Sequence, residues 1–256
     1  MYKPKRNPLS TDFIIKQLQE RFKNRESFTR KELYALYCAY EPELKEATFR
    51  WRIYDLKAKH IIRSLAAGLY TLDYIPNFYP EVSDSTKNLH KILLQQFPGL
   101  KLCIWNTKLL NEFMLHIPIK YITLLEVEKD AIEPVFHYLQ DIRMTDVFLQ
   151  PSEIELERYV KEREEAVVLR SLISKAPVQI LDGVPTTTLE KLVVDIYSDE
   201  KIFSAYQGSE LAHIINNAYN KYTLDLSKLY AYAKRRGRAD ALKEYLTNET
   251  DIRTKV

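Results

Sequence analysis

The sequence predicts an α+β protein in two parts: a small, mainly helical domain closed by a β-hairpin, and a larger mixed α/β domain that ends in a helical segment. Three observations carry this expectation. Apolar residues recur at helical spacing through most of the first 60 positions, and the pattern changes to short β-prone runs after His60. Beyond that, the polar stretch YIPNFYPEVSDS places Pro76 and Pro80 where no regular element survives. The domains are therefore expected at 1–75 and 83–256, with a linker between them.

In the first domain, Ser10 or Thr11 is placed to cap a helix whose apolar positions are Phe13, Ile14, Leu18 and Phe22. In FTRKELYALYCAY, Thr29 and Glu32 have the spacing of a capping box, Leu33, Leu36 and Tyr37 supply the apolar stripe, and Pro42 stops the helix. A third helix is expected from about Glu43 or Leu44 to Lys59. HIIRSLAAGLYTL then follows as two short strands around Ala66, Ala67 and Gly68. Helix, helix, helix, hairpin is the order of a winged helix-turn-helix. Residues 1–75 hold 15 Lys and Arg against 9 Asp and Glu, a surplus of six, which leaves the remainder at a net −3. A positive surplus of this kind suits a polyanionic partner.

The second domain opens with an amphipathic helix from Ser85 to Gln96 and then alternates: KLCIWNT as strand, KLLNEFM as helix, KYITLLEVE as strand, AIEPVFHYLQDI as helix, TDVFLQ as strand. The charged PSEIELERYVKEREE separates these from AVVLRSLI, expected as a buried strand, and the rest of the chain reads as helical.

The residues give no sign of catalysis. Five glycines stand at 68, 99, 183, 208 and 237, so neither a dinucleotide fingerprint nor a P-loop is present. His60, His90, His116, His137 and His213 have no paired spacing with ligating residues, and Cys38 and Cys103 have no redox partner. No metal or cofactor is expected. Glu126 and Glu128 share a face of a predicted strand and would be the carboxylates of a nucleotidyl-transfer site. The only Gly-Ser, Gly208 and Ser209, falls about 80 residues too late, so the pair is read as a strand end meeting solvent. With no apolar run near the roughly 20 residues of a membrane span and no signal-peptide core, a cytoplasmic protein without membrane contact is expected.

Helical geometry assigns the third helix a function. At about 100° per residue, Phe49, Ile53 and Leu56 fall on one face and pack inward. Thr48, Arg50, Trp51 and Tyr54 point elsewhere, with Arg50 best placed to read a guanine edge in the major groove and Arg52 on the flank nearer the phosphates.

The stretch TFRWRIYDLKAKHIIRSLAAGLYTL resembles the winged-helix end of the bacterial AbiE-type (abortive infection) antitoxins of type IV toxin-antitoxin pairs. LISKAPVQ, TTLEKLVVDIYSD, YQGSELAHIINNAYNKY and LSKLYAYAKRRGR are similar to the second domain of the same family. The resemblance implies an autorepressor that binds double-stranded operator DNA and a C-terminal domain that counteracts a cognate nucleotidyltransferase toxin encoded beside it, with direct contact left open. Thr48, Arg50, Trp51 and Arg52 become the DNA-reading set. Lys191, Asp195, Lys234, Arg235 and Arg236 become the partner-binding set, the alternative for these five being salt bridges between helices. One departure stands out: the wing tip SLAAGL is apolar, with Arg63 at its base as its only cation. Phosphate contacts would then fall to Lys5, Arg6, Arg30, Lys31, Lys57 and Lys59, and two protomers on adjacent half-sites are expected. Two alternatives remain, a divergent nucleotidyltransferase using Glu126 and Glu128, and a winged-helix adaptor that binds protein.

Overall fold

The computed structural model describes residues 10–22, 25–59, 61–72 and 76–252. Contacts divide the chain into two compact units, Met1–Ile75 and Pro76–Val256.

In the first unit, α1 (Thr11–Phe22) begins where the Ser10 hydroxyl accepts the Phe13 amide at 3.2 Å. A two-residue strand, β1 (Phe28–Thr29), runs into α2 (Arg30–Tyr40) through a complete capping box: the Thr29 hydroxyl accepts the Glu32 amide, and the Glu32 carboxylate accepts the Thr29 amide at 2.8 Å. The Thr29 amide, the Arg25 guanidinium and the Thr29 hydroxyl all donate to the Glu32 carboxylate and hold it down at about 2. A depressed carboxyl stabilises the folded state above its ordinary value and loses that contribution as the pH falls towards 2. The third helix, α3 (Glu46–Ala58), starts a little later than expected, with Lys45 as its N-cap and no side-chain capping bond. The wing is β2 (Ile62–Ala66) and β3 (Leu69–Leu72), and the antiparallel sheet has the order β1-β3-β2. Gly68 turns the tip at φ +73°, and its carbonyl accepts the Arg30 amide at 2.7 Å, which fastens the wing to the first residue of α2. Leu18, Phe22, Phe28, Leu33, Phe49 and Leu56 form the buried core, with Phe22 stacked on Phe28 at 4.3 Å. This order of helices, followed by a paired hairpin, makes the unit a winged helix-turn-helix.

The second unit is built on a mixed sheet of order β4-β5-β7-β6, comprising β4 (Leu102–Asn106), β5 (Tyr121–Val127), β6 (Val147–Leu149) and β7 (Glu165–Ser171). The pair β4–β5 is antiparallel, whereas β5–β7 and β6–β7 are parallel. Strand alternation separates two cores. Leu102, Ile104, Leu125, Val127 and Leu169 pack with α4 (Asp84–Gln96) and α5 (Ile132–Asp141). Cys103, Trp105, Leu124, Ala166 and Val168 face the opposite layer, made of α7 (Leu189–Ser198), α8 (Ser209–Lys221), α9 (Leu226–Arg235) and α10 (Ala239–Glu249). KLLNEFM forms a 3-10 helix, Thr107–Phe113, and the charged separator folds as a short helix, α6 (Glu153–Glu155), continuing into a π-helical turn.

Two expectations are corrected. The segment before α7 is a hairpin of β8 (Val178–Leu181) and β9 (Val184–Thr187) rather than helix. Its centre is Asp182 at φ +50° and Gly183 at φ +79°, both left-handed as a type I′ turn requires. The expected linker, residues 76–82, is part of the second unit: Phe78 is buried with its ring 5.2 Å from that of Tyr222, and the Pro76 carbonyl accepts the Thr223 amide at 2.8 Å. A fragment starting at Pro76 should therefore unfold at a higher denaturant concentration than one starting at residue 83. Phe78→Ala in the full chain should cost about 3 to 5 kcal/mol, as removal of a buried aromatic does. Equal midpoints for the two fragments would show that residues 76–82 contribute nothing.

Candidate nucleic-acid interface and a buried charge network

Helix α3 presents two faces. Phe49, Ile53 and Leu56 are buried, while Arg50, Trp51, Tyr54 and Lys57 are exposed on the opposite side. Trp51 keeps 63% of its surface and Tyr54 70%, so neither serves the core. The Arg50 side chain is 75% exposed, and its Nε lies 3.7 Å from the Glu46 carboxylate one turn earlier. Thr48, Lys31 and Arg63 are exposed as well. Glu46 also accepts from the Arg30 guanidinium, which sits 5.0 Å over the Phe49 ring. Lys59 reaches Asp55 at 2.7 Å. Lys5, Arg6 and His60 lie outside the described residues.

Arg52, expected on the flank nearer the phosphates, is instead held against α2. At about 100° per residue it lies only about 60° from Phe49, which turns it towards α2. Its guanidinium donates to both Glu41 oxygens at 2.9 and 3.0 Å and sits 4.9 Å over the Tyr37 ring, with the side chain 14% exposed. It fastens α3 to the end of α2.

The five residues of the partner-binding set separate in the same way. Lys234 and Arg235 are exposed at the C-terminal end of α9, where cations suit the helix dipole. Lys191 and Asp195 are fully buried, because α7 is buried from Leu189 to Ile196 and offers no solvent face. Arg236, one turn beyond Tyr232, follows the inward face of α9. These residues belong to a network that also contains Glu126, Arg170, Asp199 and Tyr232. The Lys191 ammonium donates to Glu126 and Asp195 and lies 5.9 Å from the ring centres of both Trp105 and Tyr232. Arg170 reaches Glu126 at 2.8 Å and Asp195 at 3.2 Å, and also pairs with Asp199. Arg236 donates to Asp195 at 3.0 Å and to Asp199, and the Tyr232 hydroxyl donates to Asp195 at 2.9 Å. Three carboxylates thus meet three cations.

Glu126 is therefore no strand end meeting solvent. It is fully buried, with one oxygen held by Lys191 and the other by Arg170, its neighbour across β5 and β7. Glu128 alone is exposed. The sequence reading passed over Arg170, Asp199 and Tyr232, although Arg170 stands inside the apolar run AVVLRSLI, a placement that itself signals a buried partner.

Burial pushes the Asp195 carboxyl up, but Lys191, Arg170 and Arg236 outweigh it and hold the group below the ordinary range. Burial likewise disfavours the Lys191 ammonium, and Asp195 with Glu126 reverses the balance and raises it. Asp195 therefore stabilises the fold above its ordinary value and ceases to do so on acidification through its folded pKa. The Lys191 contribution is complete below the ordinary lysine value and is lost as the pH climbs towards its raised one. Burial pushes the Cys103 thiol up, which keeps it un-ionised and unreactive. Among the described residues, no group of three or more His, Cys, Asp and Glu side chains could hold a metal ion, and no helix is long and apolar enough to cross a membrane.

Fold and surface define a two-unit protein, with a winged helix-turn-helix in the N-terminal unit and a charge-centred three-layer C-terminal unit. The chain belongs to a family of unknown function, DUF6577, which matches residues 48–252, from the first turn of α3 to the end of the described chain. No curated protein matches it.

Removing one member of the network leaves its partners buried and uncompensated. Lys191→Met should destabilise the second unit by about 3 to 5 kcal/mol, whereas Arg235→Glu should change stability by less than about 0.5 kcal/mol. Denaturant unfolding at neutral pH reads both, and equal costs would contradict the burial of Lys191. For the wild type, the Asp195 contribution should begin to fall as the pH drops from about 5 through the ordinary aspartate value of about 3.9.

Proposed function

We propose that this protein is a DNA-binding transcriptional autorepressor and antitoxin that counteracts a cognate nucleotidyltransferase toxin in the cytoplasm. The observation that carries the DNA part is α3, which follows the α2–α3 turn, packs one face inward and offers Arg50, Trp51, Tyr54 and Lys57 to solvent on the other. Arg50 is the base-reading residue, with Thr48 beside it in the first turn. Lys31, Lys57 and Arg63 are the phosphate contacts, Arg30 and Lys59 supporting them only after releasing Glu46 and Asp55. An apolar wing with Leu65 half exposed adds little charge, so two protomers on adjacent half-sites supply the affinity. The antitoxin part rests on the family resemblance of the second unit, and the exposed Lys234 and Arg235 are the residues assigned to the toxin. Enzymatic use of Glu126 has no support of its own, because Lys191 and Arg170 already occupy its oxygens.

One observation favours a second reading. Two large aromatic side chains on the exposed face of α3 also suit a protein partner, as aromatic anchors do. Footprinting on the region upstream of the gene separates the two: protection at low salt supports the repressor, and its absence with α3 intact favours the adaptor. Arg50→Ala should cost about 1 to 3 kcal/mol on the specific site and relax one base position, while Lys57→Ala weakens all sequences about equally. Arg52→Ala should instead lower the stability of the first unit. For the antitoxin assignment, co-expression with the neighbouring toxin is decisive: continued growth arrest in the presence of folded protein would remove it.

A further inference from the structure

Arg30 opens α2, yet its guanidinium belongs to the first turn of α3. The backbone amide is bound to the Gly68 carbonyl at 2.7 Å, the guanidinium sits 5.0 Å over the ring of the buried Phe49, and its N–H groups donate to the Glu46 carboxylate. The same carboxylate lies 3.7 Å from the Arg50 Nε, one turn further along α3. Glu46 therefore faces two cations, one from each helix of the helix-turn-helix. An anion is favoured at this place on other grounds too. Glu46 stands in the first turn of α3, where the leading amides receive no side-chain cap from Lys45 and the positive end of the helix dipole is found. A phosphate of a DNA backbone would seek the same combination of guanidinium donors and helix N-terminus. Lys31, Lys57 and Arg63 differ in this respect: they are exposed and have no ion-pair partner among the described residues.

We propose that Glu46 is a built-in competitor of DNA phosphate, a brake on sequence-independent binding. The inference rests on the DNA-binding reading of α3 and adds to it how that surface is regulated. In the free protein, Glu46 neutralises Arg30 and draws on Arg50. On meeting a duplex, Arg30 has two courses. It stays on Glu46, and one phosphate contact is forgone, or it exchanges carboxylate for phosphate, and Glu46 is left uncompensated beside a polyanion. Either course lowers affinity by an amount that does not depend on base sequence, which shortens residence on bulk DNA while the guanine contact of Arg50 still discriminates. Glu46→Gln removes the competitor without releasing the cation from its place, because the Gly68 and Phe49 contacts of Arg30 remain.

The test is fluorescence anisotropy of the full-length protein on a fluorescein-labelled duplex of random sequence, titrated at salt concentrations from about 50 to about 200 mM. Glu46→Gln should bind about threefold more tightly than wild type, the gain from releasing one screened ion pair, and the slope of log K against log salt should steepen by about 0.9, the value of one further phosphate contact. Glu43→Gln is the control. Glu43 is exposed in the α2–α3 turn with no ion-pair partner among the described residues, so its substitution changes the net charge equally and frees no arginine. It should leave the slope unchanged, and Glu46→Gln should give little gain in an Arg30→Gln background. A damaged fold loses affinity and so cannot imitate the expected result. Unchanged or weaker binding by folded Glu46→Gln overturns the competitor, and so does an equal gain from Glu43→Gln, which would assign the effect to net charge. If wild type and Glu46→Gln alike fail to bind the duplex at the lowest salt, the DNA-binding reading itself falls and the competitor with it.

Discussion

The second unit depends on one buried ammonium. Lys191 lies between Glu126 of β5 and Asp195 of its own helix, and Arg170 of β7 and Arg236 after α9 complete the neutralisation. Taking several ions out of water costs several kcal/mol each, and the loss is recovered only when every lone pair and proton finds a partner. That requirement acts on position. The charges balance only if α7 docks at one register against β5 and β7 and if α9 brings Tyr232 and Arg236 to Asp195. A network of directional bonds adds its own orientational requirement to that of close packing. The sheet and the C-terminal helices are thus held in one arrangement by a polar lock set within hydrophobic packing.

The first unit answers to a simpler constraint, the division of one helix between two solvents. With Phe49, Ile53 and Leu56 committed to the core, the periodicity of α3 leaves Arg50, Trp51, Tyr54 and Lys57 to water. Charge at this surface is contested from within. Glu46, at the start of the same helix, draws Arg30 and lies close to Arg50, so the cations nearest the helix N-terminus are partly neutralised before any polyanion arrives. The exposed face is therefore as aromatic as it is basic.

Much of this was legible in the sequence, for identifiable reasons. The Thr29–Glu32 capping box, the inward stripe of α3 and the strands around Trp105, Leu124 and Val168 are local patterns, fixed by residues within a few positions of each other. The hairpin at Asp182–Gly183 was legible too, since Asp-Gly between alternating residues is a strong turn signal, but the helical pattern after it dominated the reading. Lys191 and Asp195 stand in stretches that resemble the antitoxin family and read as a partner surface, with salt bridges between helices as the alternative; both lie buried in ion pairs. An i,i+4 Lys–Asp pair looks the same in one dimension whether it faces solvent or lies beneath another layer.

By itself the sequence determined most of the elements, the apolar faces, the division near Pro76 and the basic surplus of the N-terminal unit, because each follows from short-range periodicity, composition or backbone chemistry. The tertiary structure decided which charges are surface and which are core. Glu126 and Lys191 are 65 positions apart, Asp195 and Arg236 41, and Glu126 and Arg170 44. Nothing local encodes such pairings. They exist because burying α7 on all sides strips its charges of water, and only the folded sheet and the last helices can return the partners that water had supplied.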